Sequence, residues 1–251
     1  MSSIDQITVI LKTESLFQDC AEPVLTQLAA QGRIISADKG QILFVNHEEA
    51  ESFYIVVSGW IKLFRETLDG AQAVVDILPQ GHIFGETSIF ENGEYPYSAE
   101  ATENMQLLVL PLKLLKQEIE NNPQMALKML SAMARYRKQQ DREIEHRTLQ
   151  NAPQRIGCFL LRLANQDAQG NVKIHLPYDK TLLASRLGMQ PETFSRALSK
   201  LKEKTGIKVN GATIEMDSLD QLVQYSCAAC SSEFPCKDIE VCNTGGHAHT
   251  A

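Results

Sequence analysis

The chain has no apolar run approaching the roughly 18 to 20 residues that a membrane span needs, and its opening MSSIDQITVILKTESLF has no secretory pattern. A soluble cytoplasmic chain with no membrane partner is therefore expected. Catalytic signatures are missing too: no paired acids, nucleophile–base set or phosphate loop stands out, and no enzyme is expected. Positive charge is in deficit, with 24 Lys and Arg against 31 Asp and Glu and a formal net charge of −7. That argues against a protein coated in nucleic acid. Cysteine is sparse before residue 227, where only Cys20 and Cys158 occur, whereas four of the six fall between 227 and 242.

At 251 residues the chain is long enough for two domains, each able to bury a core. Its charge is unevenly spread. Residues 151–215 carry ten Lys and Arg against five acids, so this segment is +5 and the remainder −12, as expected where one module meets phosphates and the rest does not.

The apolar period changes along the sequence. An amphipathic opening (Ile4 to Ala30) gives way over residues 31–110 to short β-type runs, RIIS, QILF, FYIVVSG, WIKLFRE, AVVDIL and MQLLVL, separated by glycines and an Asp69-Gly70 hairpin signal. These runs predict an antiparallel roll or barrel. Asn122 is a plausible helix cap before Pro123, and from Met125 to about Leu149 nothing breaks a helix. Its first half is apolar (Leu127, Met129, Leu130, Met133, Ala134, Tyr136), more than a small domain covers, which points to a second copy of the same helix. Leu127, Leu130, Met133, Ala134, Arg137, Asp141 and Ile144 are the candidate dimerisation residues, and the polar second half would keep that interface marginal.

The segment TLLASRLGMQPETFSRALSKLKE (Thr181 to Glu203) predicts two short helices and a tight turn. Leu182, Leu183, Leu187, Phe194, Leu198 and Leu201 share an apolar stripe, Gly188 makes the bend, and Glu192, Ser195 and Arg196 point away. In a major groove, Arg can bond guanine bidentately, Glu can accept from cytosine, and Ser can serve several bases. Thr181, Lys200, Lys202 and Lys204 complete the candidate DNA-binding set, the lysines toward phosphates. A hairpin with Asn210-Gly211 at its turn follows as a small wing. The expected class is α+β: residues 1–121 a β-roll sensor, 122–150 a dimerisation helix, 151–222 a winged helix-turn-helix and 223–251 a Cys-rich tail.

In this order the motifs Lys39-Gly40-Gln41-Ile42-Leu43-Phe44, Phe53 to Gly59, Asp69-Gly70 and Phe84-Gly85-Glu86, with the helix-turn-helix, resemble the Crp/Fnr superfamily of bacterial transcription regulators over roughly residues 15 to 222. The resemblance implies a cyclic-nucleotide-binding-like roll, a homodimer on double-stranded DNA, and RNA polymerase as a partner. Glu192-Thr193-Phe194-Ser195-Arg196 is similar to the Fnr-type reading helix, which implies a palindromic TTGAT-like site. The string ASRLGMQPETFSRAL also looks like the dissimilatory nitrate respiration regulators, a nitric-oxide-responsive branch associated with haem. In members that bind cyclic AMP, an Arg-Ser pair holds the phosphate. Here Tyr97 precedes Ser98, and Tyr carries no charge, so cyclic AMP is not expected as effector.

Cys227, Cys230, Cys236 and Cys242 lie in CAACSSEFPCKDIEVC, a density that suits a metal site more than a disulfide frame. Spacing alone leaves iron–sulfur and zinc open. The resemblance favours an iron–sulfur cluster, since the C-x2-C-x5-C run of Fnr-type oxygen sensors recurs here at the opposite end of the chain. Zinc, aided by His247 or His249, is the alternative. Cys20 and Cys158 have apolar neighbours and are expected to be inert thiols, and nothing marks His82, His146 or His175 as a haem ligand. The reading is a redox- or gas-responsive regulator; the alternative is a metal-binding or electron-transfer protein centred on the tail.

Overall fold

A computed structural model describes residues 2–18, 20–164, 172–176, 179–231 and 236. The opening is two helices, α1 (Ser3–Thr13) and α2 (Glu22–Gln31), rather than one continuous element. Ser2 and Asp5 cap α1 reciprocally, and Pro23 sits in the first turn of α2, which fixes both starts. Eight strands follow: β1 (Arg33–Ala37), β2 (Ile42–Phe44), β3 (Ser52–Ser58), β4 (Ile61–Glu66), β5 (Gln72–Leu78), β6 (Ile83–Phe84), β7 (Ser98–Ala101) and β8 (Met105–Pro111), with a 3-10 turn at Glu86–Phe90. They form two antiparallel four-stranded sheets, β1-β8-β3-β6 and β2-β7-β4-β5.

Alternation along β3 and β8 explains why their sequences read as unbroken apolar runs. Tyr54, Val56, Leu107 and Val109 face the roll interior with Phe44, Ile61 and Phe84, while Phe53, Ile55, Leu108 and Leu110 face a second core. That second core is supplied by Ile7 and Leu11 of α1, Leu25 and Leu28 of α2, Leu112 and Leu115 of α3 (Leu112–Asn121), and Met125 and Met129 of α4 (Pro123–Leu149). α3 was not anticipated as a separate helix, although Leu112, Leu115 and Ile119 fall at helical spacing after Pro111. At the start of α4, Asn122 Oδ1 accepts from the Gln124 N–H at 3.1 Å and Pro123 is the first residue.

Cα packing divides the chain into two compact units, with the boundary inside α4 between Met133 and Ala134. The second unit continues with α5 (Ala152–Leu163), β9 (Val172–His175), α6 (Lys180–Arg186), α7 (Pro191–Thr205), β10 (Lys208–Asn210), β11 (Thr213–Met216), α8 (Asp220–Ser226) and a 3-10 turn at Cys227–Ala229. Asn151 and Gln154 form a capping box on α5. β10, β11 and β9 make a three-stranded antiparallel sheet, with the Asn210-Gly211 turn between its first two strands. The architecture is α+β, a β-roll followed by a long helix and a winged helix-turn-helix.

Gly157 of α5 shows how tightly this unit closes. A Cβ there would stand 1.9 Å from Ser226 Oγ, so α5 and α8 meet at a point where no side chain fits.

Candidate nucleic-acid interface

The helix-turn-helix is set by packing on one side and left open on the other. Leu182, Leu183, Phe194, Ala197, Leu198 and Leu201 are buried. Between the helices, Gly188 adopts φ +62°, a left-handed conformation that costs a residue with a Cβ, and its N–H donates to the Ser185 carbonyl at 3.0 Å. Asp179 caps α6, accepting from the Thr181 N–H at 2.8 Å. Pro191 opens α7. On the outer side of this pair Thr181, Glu192, Ser195, Arg196, Lys200, Lys202 and Lys204 are all exposed. Glu192, Ser195 and Arg196 share the first turns of α7, and the lysines follow toward its C-terminal end.

Arg186 does not belong to that surface, although it counts in the basic balance of the segment. It is 6% exposed, and its guanidinium donates to both oxygens of Glu143, from Nη1 at 2.8 Å and Nη2 at 2.6 Å. Arg162 Nη1 adds a bond to Glu143 Oε1 at 3.0 Å. Burial by itself would raise the Glu143 carboxyl, but the two guanidinium groups overcome it and hold the group at about 2. The last turns of α4 are thereby fastened to α5 and α6. Sequence alone gave no sign of this, because Glu143 and Arg186 are 43 residues apart.

α4 itself carries an uncovered stripe. Leu127 is 55%, Leu130 60% and Ile144 65% exposed, and Met133, Ala134, Arg137 and Asp141 are exposed as well. From Leu127 through Leu130, Ala134, Arg137 and Asp141 to Ile144 the spacing alternates three and four, the seam of a two-helix coiled coil.

At the end of the second unit two thiols flank one imidazole. His146 Nδ1 lies 3.8 Å from Cys158 Sγ, and its Nε2 lies 3.6 Å from Cys230 Sγ. Burial lowers His146 and pushes the Cys158 thiol up to about 12, with Arg162 opposing the rise and Cys236, Cys227 and Cys230 adding to it. Burial also raises Cys227 to about 11. Raised this far, the Cys158 thiol stays protonated, as expected of an inert cysteine, although its spatial neighbours come from α4 and the tail and not from its apolar sequence neighbours. Cys20 stays partly buried against the core of the first unit. Cys242, His247 and His249 lie outside the described residues. Among the described residues, no three His, Cys, Asp or Glu side chains stand ready-made around a metal.

Aromatic rings pack the roll interior. Phe44 stacks on Tyr95 at 3.6 Å between centroids, Tyr54 on Phe84 at 5.0 Å, and Tyr97 lies 6.1 Å from Phe44. The Tyr97 hydroxyl accepts from the Gly85 N–H at 3.1 Å. Glu86 Oε2 is enclosed without a hydrogen-bond partner, and burial raises its carboxyl to about 7. No helix among the described residues is long and apolar enough to cross a membrane.

Residues 34–122 match the cyclic nucleotide-binding domain, and residues 154–225 match the Crp-like helix-turn-helix domain. The chain is 32% identical to a solved protein of Ruegeria pomeroyi described as cyclic-nucleotide-binding, covering 90% of this chain and 99% of that one with a TM-score of 0.69. It is 26% identical over 191 residues to the fumarate and nitrate reduction regulatory protein of Escherichia coli K12, covering 75% of this chain and 76% of that protein. Over 218 residues it is 23% identical to a CRP-like cAMP-activated global transcriptional regulator of Mycobacterium tuberculosis, covering 86% and 97%. A roll of the cyclic-nucleotide-binding type joined to a DNA-binding helix-turn-helix is the domain pair of a transcription regulator. The chain belongs to the Crp/Fnr family.

Proposed function

We propose that this regulator acts as a homodimer on a palindromic TTGAT-like site and responds to redox state or a gas such as oxygen or nitric oxide through a metal centre on its Cys tail. One observation carries the DNA reading: Glu192, Ser195 and Arg196 lie exposed together on the first turns of α7, whose opposite face is buried. The exposed α4 stripe supports the dimer, because two such helices would bury each other's Leu127, Leu130 and Ile144 and present two α7 helices to successive major grooves about 34 Å apart. Lys200, Lys202 and Lys204 would meet phosphates, Thr181 would contact the backbone near α6, and RNA polymerase would be the downstream partner.

The metal reading rests on the thiols. Cys227, Cys230 and Cys236 keep the spacing of a cluster-binding run, Cys230 lies 3.6 Å from His146 Nε2, and all three come close enough to influence Cys158. An iron–sulfur cluster is the first candidate and zinc the second; haem would need an axial ligand, and nothing marks His82, His146 or His175 as one. Cyclic AMP is not the effector in this reading, since Tyr97 puts a neutral hydroxyl where a phosphate needs a cation. Calorimetry with cyclic AMP should show no binding, and a micromolar dissociation constant would refute this part.

Gel-shift titration of a palindromic TTGAT probe at fixed salt, against a scrambled probe, tests the whole. Specific binding is expected in one redox state. Arg196→Ala should cost about 1 to 3 kcal/mol and relax the preference at one guanine. Equal weakening on every probe would make Arg196 a phosphate contact. Absence of any sequence preference would favour a metal-handling protein instead.

A further inference from the structure

The start of the tail is seated on α4 and α5 by contacts that the DNA reading does not require. Gln150 Nε2 donates to the Ser226 carbonyl at 3.3 Å, and Gln154 Nε2 donates to the Tyr225 carbonyl at 3.4 Å. The Ser231 N–H donates to Glu145 Oε1 at 3.1 Å. Gly157 admits Ser226 where any side chain would collide. Between these points the tail delivers Cys230 to His146, one turn past the Glu143 carboxylate on the same helix.

We propose that His146 is a ligand of the metal centre, its Nε2 joining the thiolates of Cys227, Cys230 and Cys236 while Cys158 orients the ring through Nδ1. The inference rests on the reading that the tail binds metal, and it assigns the fourth ligand to α4 rather than to Cys242. Distance supports it. On a tetrahedral ion with N at 2.0 to 2.1 Å and S at about 2.3 Å, two ligand atoms stand about 3.6 Å apart. The Cys230 Sγ to His146 Nε2 separation is 3.6 Å. The other ring nitrogen is also engaged, as is usual for a ligating histidine whose second nitrogen sets ring orientation, here against Cys158 Sγ at 3.8 Å.

The nearby carboxylates are committed elsewhere: Glu143 to Arg162 and Arg186, Glu145 to the Ser231 N–H. They leave nitrogen and sulfur as the donors, a set that zinc accepts and that an iron–sulfur centre also accepts where histidine replaces one thiolate. The His146–Cys230 pair is the part of the site already in place. Cys227 lies in the 3-10 turn leading into it, and Cys236 comes close enough to influence Cys158. Ligation would clasp the last turn of α4 to the tail and so make the seating of the DNA-binding helices depend on metal occupancy.

The test uses the full chain purified without oxygen, with zinc, iron and acid-labile sulfide measured per chain and a visible spectrum recorded. Zinc without sulfide identifies a single ion; iron with sulfide identifies a cluster. In either case His146→Ala should lower metal content or affinity by about tenfold or more, and His146→Cys should restore occupancy with a shifted thiolate absorbance. Cys158→Ser should keep the stoichiometry and weaken affinity about tenfold, and Cys242→Ser should change neither. Circular dichroism and thermal unfolding show whether each variant folds, with His146→Gln as the closer replacement if Ala does not. Full occupancy and an unaltered spectrum in folded His146→Ala or His146→Gln would overturn the proposal and leave the metal reading standing. A wild-type chain without zinc, iron or sulfide would remove the metal reading itself.

Discussion

Glu143 and Glu86 are both enclosed, one in each compact unit, and they titrate in opposite directions. Glu143 meets Arg162 and Arg186 and is held at about 2 against the pull of burial, whereas Glu86 has an unpartnered Oε2 and rises to about 7. Depth does not decide whether a carboxylate keeps its charge; the cation beside it does. The DNA-binding unit uses its pair as a fastening between α4, α5 and α6. The roll leaves its own buried carboxylate oxygen without a hydrogen-bond partner.

Removing the charge from each glutamate should therefore have effects of opposite sign. The largest is expected from Glu143→Gln, which leaves Arg186 buried without its anion and should destabilise the second unit by about 3 kcal/mol at neutral pH. Because the folded carboxyl is depressed, its stabilisation is present above the ordinary value of 4.5 and is lost as pH falls toward about 2. Chemical unfolding of wild type between these limits should show that loss, and the variant should not. Parallel pH profiles would break the contrast.

Glu86→Gln should act the other way. The folded roll binds a proton more tightly than the unfolded chain, so stability is greatest below about 4.5 and declines as pH rises to about 7, staying low above it. The variant should gain about 1 to 3 kcal/mol at pH 8 and lose this slope. An equally sloped profile in the variant would show that Glu86 is not the group responsible. The smallest effect is expected from Arg162→Ala, which removes one of two cations and should cost about 1 to 2 kcal/mol, with Glu143 still bound by Arg186. A cost as large as that of Glu143→Gln would mean that Arg162 is the dominant partner.

Local features of the sequence were readable because they depend on neighbours in the chain. FYIVV and LLVL announce strands buried on both faces, Asn122-Pro123 announces the start of α4, and PETFSRAL separates an apolar from a polar helix face. α3 was missed although Pro111 breaks the pattern just before it, because LKLLKQEIEN continues the apolar run MQLLVL. α8 was hidden because its seven residues are too few for a clear period. The larger omission concerned groups brought together from afar. His146 and Cys230 are 84 residues apart, so nothing in their local sequence joins them. The surroundings of Cys158 were hidden for the same reason, its sequence neighbours being apolar while its neighbours in space are a ring nitrogen and other thiols.

The missing side chain at Gly157 has a consequence for the described residues just beyond Ser226. With α8 rooted there, the four Cα–Cα steps from Ser226 to Cys230 can span at most about 14 Å, so the Cys230 thiol is on a short leash to α5. A bulkier residue at 157 would move the root rather than lengthen the leash, and the sulfur atoms would miss the imidazole without a single cysteine having been changed.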